Sequence, residues 1–164
     1  TFIMNNTKIK DELICKLKKN RIKLCVAESM TGGRFIYEFI KKKGASNFID
    51  FSIVCYSNNS KIKFLGLKKE LEENHVISEI IAKKMAINIT KHSKDQNVIG
   101  ISCTGLASNH NNKNFLKVNV GTVFFAVYFK KKIKVKKKIF KDLKRNQIIT
   151  KTVSEMIALC NSII

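Results

Sequence analysis

Three short segments of this 164-residue chain place hydroxyl groups, glycines and a lysine directly after an apolar run. They are Glu28-Ser29-Met30-Thr31-Gly32-Gly33, Tyr56-Ser57-Asn58-Asn59-Ser60-Lys61 and Cys103-Thr104-Gly105-Leu106-Ala107. In the first, Gly32 and Gly33 let the backbone approach a ligand, and a following helix would offer free N–H groups to an anion or oxyanion. Ser29 and Thr31 add hydroxyls. In the second, Lys61 falls one turn into a helix and points back toward its start. Near a helix N-terminus and other cations its ammonium is disfavoured, which suits a base. The third brings another hydroxyl and glycine. Each also has a plainer reading: a capped helix start, one solvated lysine among twenty-nine, and an ordinary strand-to-loop turn. The first segment lacks the GxxxxGK[ST] spacing of a P-loop and the GxGxxG of a dinucleotide site.

Such turns act together only if the elements before them end side by side. Ile22 to Ala27 reads as a short buried strand feeding the first segment, and Phe35, Ile36, Phe39 and Ile40 mark a helix after it that ends at Gly44. Phe51 to Tyr56 is a second apolar strand, and Ser57 or Asn58 caps a helix across Lys61, Phe64 and Leu65 ending near Gly66. Ser78 opens a helix to about His92 with Ile81, Ala82, Met85 and Ile89 inward, and Asn97 to Cys103 is a third buried strand. A polar loop, Ser108 to Asn114, follows. Val118 to Phe129 and Ile133 to Phe140 form a hairpin with the Lys130 run as its turn. An opening helix over Thr7–Asn20 carries Ile9, Leu13, Ile14 and Leu17. A closing helix from about Asn146 to Asn161 buries Ile149, Val153, Met156, Ile157 and Cys160. The pattern predicts an α/β sandwich around a mixed sheet, as one domain over 1–164 without repeat or linker. In open α/β sheets ligands bind at the carboxyl ends of strands, where all three segments fall.

Composition narrows the classes. At 45% hydrophobic and 27% charged the chain suits one soluble globular domain, and no apolar run reaches the ~18 residues of a membrane span. Thr1 to Asn20 lacks the pattern of a signal peptide. Five cysteines, no two closer than ten residues, exclude a CxxC pair and predict reduced thiols in the cytoplasm. His75, His92 and His110 lack metal-ligand spacing, so no metal is expected. The net charge of +20 comes almost entirely from lysine; the only arginines are Arg21, Arg34 and Arg145. A nucleic-acid reader leans on arginine and stacked aromatics, so the lysines are read as background that draws anionic small molecules at low salt.

The three segments, with others in order, resemble one family: the C-terminal domain of the competence/damage-inducible protein CinA. Ala27-Glu28-Ser29-Met30-Thr31-Gly32-Gly33 resembles its AES-C-TGG motif, and Tyr56-Ser57-Asn58-Asn59-Ser60-Lys61 with Leu65-Gly66-Leu67 its YSNxxKxxxLGV segment. Val76-Ile77-Ser78-Glu79 with Ala82, Met85 and Ala86 resembles VSEExAxxMA. Thr104-Gly105-Leu106-Ala107 resembles TGIAG, and Val120-Gly121-Thr122-Val123 the VGTV strand. The resemblance implies a three-layer α/β/α sandwich around a mixed, mainly parallel sheet with an antiparallel hairpin. It implies a nicotinamide-mononucleotide amidohydrolase of pyridine-nucleotide recycling, with no cofactor, no metal, no specific nucleic acid and no membrane, and a homo-oligomer of two or more copies. Ser29 takes the nucleophile position with Lys61 and Tyr56 as activating partners. Glu28, Thr31, Gly32, Gly33, Thr104, Gly105 and Arg145 take substrate-binding positions, and the Thr31-Gly32-Gly33 helix start supplies oxyanion donors. Tyr56 relays a proton to the leaving ammonia.

The chain departs from the family in places. Met30 replaces a cysteine, Ser108-Asn109 a Gly-Pro, and Leu143-Lys144-Arg145 stands where the family has Gly-Asp-Arg. The family's larger N-terminal domain, with its pyrophosphatase activity, is expected to be missing. A catalytically weakened nucleotide- or partner-binding module and a basic nucleic-acid-binding protein are the competing readings.

Overall fold

The computed structural model describes the backbone of residues 2–109 and 118–164 and the side chains of 7–109 and 118–164. Much of the expected polar loop therefore lies outside the described residues. Five strands, β1 (Lys23–Glu28), β2 (Ile49–Val54), β3 (Val98–Gly105), β4 (Thr122–Phe129) and β5 (Lys132–Ile139), form one sheet in the order β2-β1-β3-β4-β5. β1 runs parallel to both β2 and β3, whereas β4 runs antiparallel to β3 and β5. Four of the five strands thus point one way.

Alternation along the strands builds two cores. Leu24 and Val26 of β1, with Ile99, Ile101 and Cys103 of β3 and Phe125 and Val127 of β4, face helices α1 (Phe2–Lys19), α2 (Arg34–Ile40) and α6 (Arg145–Asn161). Cys25 and Ala27 of β1 face the opposite layer, where Leu65, Ile81, Met85 and Ile89 come from α3 (Asn58–Leu65) and α5 (Glu79–Ile89). The molecule is therefore a three-layer α/β/α sandwich. On the first face Phe35, Phe39 and Phe48 are fully buried, with ring centroids 5.0 and 6.3 Å apart. Aromatic pairs of this kind add about 0.5–1.5 kcal/mol each beyond burial.

Several expectations are corrected. β2 alternates between half-buried and exposed residues because it is an edge strand, where its apolar run predicts full burial. β3 continues to Gly105, since its pairing with β4 extends to Gly105↔Val123, so Thr104 and Gly105 are strand residues rather than a turn. The hairpin's first strand starts at Thr122, not Val118. A short helix, α4 (Lys68–Glu73), escapes the periodicity, having one apolar residue in six. In α6 it is Ile148 that is fully buried, while Ile149 lies at the edge of the core. Among the described residues no helix is long and apolar enough to cross a membrane.

Candidate active site

β1 and β2 lie side by side, and their connections leave toward opposite faces: β1 into α2, β2 into α3. A crevice opens at their carboxyl ends, as it does in open α/β sheets where successive connections diverge. The chain enters α3 through a capping box. Ser57 Oγ accepts from the Ser60 N–H at 3.1 Å, and Ser60 Oγ accepts from the Ser57 N–H at 3.1 Å. Such a cap stabilises a helix start by about 1 kcal/mol. Gly66 closes α3 in the left-handed region at φ 66. This short helix, fixed at both ends, holds Lys61 over the end of β1.

Lys61 is 1% exposed, although it carries an ammonium on four methylenes. Its Nζ donates to Cys55 O at 2.8 Å and Tyr56 O at 3.4 Å, and reaches Ser29 Oγ at 3.1 Å. Burial lowers its pKa to about 8, because a charged amine loses its hydration there. The cause is desolvation, not the helix terminus invoked from sequence. An amine that is partly neutral near pH 7 can accept the serine proton.

The other sequence-derived positions divide. Ser29, Tyr56, Lys61, Thr104, Gly105 and Arg145 line one cleft of about 430 Å³, together with Asn58, Ile77 and Ser108. Thr104 Oγ1 donates to Val76 O at 2.9 Å, which fixes the cleft's far wall. At Gly105 a Cβ would stand 2.6 Å from Met30 Sδ, so the glycine makes room for the residue beside the serine. Arg145, the first residue of α6, donates to Tyr56 Oη at 3.1 Å and Ser108 Oγ at 3.0 Å across the mouth. The Tyr56 carbonyl accepts from Lys61, and its exposed phenol bonds Arg145 at the rim.

Glu28, Thr31, Gly32 and Gly33 are not cleft residues. The buried Glu28 carboxylate accepts from the N–H groups of Gly33, Phe35 and Ile36 at 2.9–3.1 Å. Of the Thr31-Gly32-Gly33 donors that the sequence assigned to an oxyanion, it takes up the Gly33 N–H, while the Gly32 N–H donates to Ser29 O at 3.1 Å. Gly32 and Gly33 adopt positive φ (60 and 92), which lets the turn fold back so that Glu28 reaches these groups. Thr31 is buried against Cys103. The sequence reading did not place Val76 and Ile77 in the site, although they open the segment that resembles VSEExAxxMA, directly before the helix cap Ser78. Burial pushes the thiols of Cys25, Cys55, Cys103 and Cys160 up, so none stands as a thiolate near neutral pH.

Residues 6–164 match the family model of the CinA C-terminal domain. The chain belongs to that family. It is 38% identical over 135 residues to a protein of Clostridioides difficile named competence-damage inducible, covering 82% of this chain and 31% of that one. A Mycoplasma genitalium protein is 31% identical over 113 residues, covering 68% of this chain and 69% of its own length. The chain thus spans less than a third of the Clostridioides relative. The fold is likewise that of a solved competence or damage-inducible protein from Enterobacter asburiae, with a TM-score of 0.86, 24% identity and 96% of each chain covered. Another from Agrobacterium tumefaciens gives 0.86 at 21% identity, over 96% of this chain and 94% of that one. At these identities the solved structures establish the CinA fold and nothing finer.

Proposed function

We propose that this CinA domain hydrolyses the carboxamide of nicotinamide mononucleotide to nicotinate mononucleotide and ammonia, with Ser29 as nucleophile and Lys61 as base. The observation that carries the reading is the 3.1 Å contact between Ser29 Oγ and a buried Lys61 Nζ at the floor of the cleft. Neutral Lys61 takes the Ser29 proton as Oγ attacks the carboxamide carbon. The C–N bond then breaks, Lys61 returns the proton to the departing nitrogen, and ammonia leaves an acyl-serine. Water attacks that ester, Lys61 takes its proton and passes it to Ser29 Oγ, and the carboxylate is released. A serine with a lysine base needs no third residue to orient it when the lysine is held by carbonyls, as here by Cys55 and Tyr56. Because Glu28 takes the α2 donors, the developing oxyanion draws in this reading on groups that line the cleft, the Asn58 amide among them.

The cleft volume of about 430 Å³ falls within the range of small-molecule sites. Its floor is the dyad, and its mouth carries Arg145, a planar donor suited to a phosphate. In this reading Tyr56 lines the phosphate end and relays no proton. The test is ammonia release from nicotinamide mononucleotide, with nicotinamide riboside as the phosphate-free control. Release that Ser29→Ala abolishes, and that falls off on the riboside, is the expected result. No release from the intact protein, or full release by Ser29→Ala, overturns it.

A further inference from the structure

The serine–lysine contact has a partner beneath it. Cys103 is fully buried on β3, does not line the cleft, and faces the turn that carries Ser29. Its Sγ lies 3.1 Å from Thr31 Oγ1, two residues along the turn from Ser29. The turn is thus held from two sides. On the helix side the Glu28 carboxylate gathers the N–H groups of Gly33, Phe35 and Ile36. On the sheet side the Cys103 sulfur meets the Thr31 hydroxyl. Two residues further along β3, Gly105 leaves the space that Met30 fills, so the strand meets both Met30 and Thr31.

Resting on the reading of Ser29 as nucleophile, we infer that Cys103 is a positioning residue: its sulfur fixes the Ser29–Thr31 backbone so that Oγ meets Lys61 Nζ. The argument is one of accounting. Buried polar groups must be paired, and a residue without a polar atom at 103 takes from the Thr31 hydroxyl the partner it has on β3. The turn then relaxes toward other partners, and Ser29 moves with it. Cys103 cannot itself be the nucleophile, since it is shut off from the cleft and its thiol stays protonated.

The experiment compares Cys103→Val, which adds about one methylene of bulk and accepts nothing, with Cys103→Ser, which restores an acceptor. Three readouts are taken: kcat and KM for ammonia release, the labelling rate of Ser29 by phenylmethylsulfonyl fluoride, and hydrogen exchange of the Ser29 and Thr31 amides. Labelling forms an Oγ–sulfonyl bond and expels fluoride, with the serine proton taken by Lys61, so it reads the dyad without the nucleotide. The expected result for Cys103→Val is a loss of about 100-fold in kcat and in labelling, of the order that a misplacement near 1 Å brings. KM should change little, both amides should exchange faster, and Cys103→Ser should recover most of each. Wild-type kcat and exchange in Cys103→Val, or a Cys103→Ser as impaired as Cys103→Val, overturns the inference. Wild-type labelling without ammonia release would instead strike down the substrate, leaving the labelling rates to judge Cys103. A wild-type protein that neither turns over nor is labelled overturns both.

Discussion

Lys61 and the lysines of β5 carry the same ammonium group into opposite surroundings. Lys61 sits between α3 and the end of β1 at 1% exposure, holding two carbonyls and a serine. β5 places Lys132, Lys134, Lys136 and Lys138 on one side of an edge strand, where Lys134 donates to Ser162 O and Lys138 pairs with Glu155 at 3.2 Å. Burial lowers the first to about 8. The second set guards a sheet edge that would otherwise offer free backbone groups to another strand. The contrast teaches that in a chain with twenty-nine lysines the residue type says little. What separates reagent from surface is whether water is excluded.

The comparison breaks most sharply at Lys61 itself. Lys61→Met should lower turnover by about 10²–10⁴-fold, the usual contribution of a positioned base. Ser29→Ala should do at least as much, and the double variant should be little worse than either, because groups acting as one unit lose their effect together. Single-turnover ammonia release from the three proteins decides it. Multiplying losses would make Lys61 a substrate contact rather than a base. In the wild type, turnover should rise about tenfold per pH unit below pH 8 and level off above it, as the neutral amine becomes the major form.

The same pKa makes a prediction about stability. Its folded value, about 8, lies below its ordinary value of 10.5, so between these pH values the unfolded chain binds more protons than the folded one. Stability contributed by this group therefore rises with pH across that window, and the cost of burying the charge is fully present below pH 8. Relative to wild type, Lys61→Met should lose about 3 kcal/mol of any advantage on going from pH 7 to above pH 10.5. Denaturant curves at the two pH values measure this, with all other titrating groups common to both proteins. A difference independent of pH would mean that Lys61 titrates alike folded and unfolded.

Much of this site is legible in the sequence, for a physical reason. Ser29 and Lys61 each follow an apolar strand and Thr104 lies in the last residues of one, and hydrophobic periodicity finds these strands. The capped start of α3 at Ser57 and its stop at Gly66 are equally readable, because caps are local chemistry. What escapes is set by contacts distant in sequence. Glu28 resembles a ligand contact until its carboxylate, at the end of β1, is seen on three N–H groups at the start of α2. Tyr56 resembles a catalytic phenol until Arg145, eighty-nine residues away, draws its hydroxyl to the rim. Cys103 reads as an inert thiol, since nothing in its neighbours in sequence reveals the turn lying on it. The edge position of β2 is hidden too, because an apolar run does not disclose strand order.

A third group of lysines lies between the two extremes. Lys130 and Lys131 form the β4–β5 turn at φ 48 and 64, a left-handed pair that usually falls to Asn-Gly. Left-handed backbone costs a residue with a Cβ roughly 1–2 kcal/mol. The double substitution Lys130→Asn with Lys131→Gly should therefore stabilise the fold by about 1 kcal/mol, seen as a higher Tm. Ammonia release should stay at the wild-type level, since neither side chain reaches the cleft. An unchanged or lower Tm would show that these lysines are more than turn residues.

The smallest effect is expected where the charge is densest. Lys136, Lys137 and Lys138 stand on β5, with Lys137 over the Phe124 ring at 5.5 Å and Lys138 beside Glu155. A surface ion pair stabilises by about 0–1 kcal/mol and an exposed cation–π contact by about 0.5–1. Against these losses, changing all three to glutamine takes the net charge from +20 to +17 and relieves repulsion across the sheet edge. The terms oppose one another, so the triple variant should melt within a few degrees of wild type. Its kcat should also match, because none of the three lines the cleft. What can move is kcat/KM at low salt, where a less positive surface gathers an anionic substrate more slowly, and that difference should vanish as salt is added. Measuring both parameters at two ionic strengths separates the cases. A fall in kcat with an unchanged melting curve would place this strand in the catalytic machinery, and the division between buried reagent and exposed guard would no longer hold.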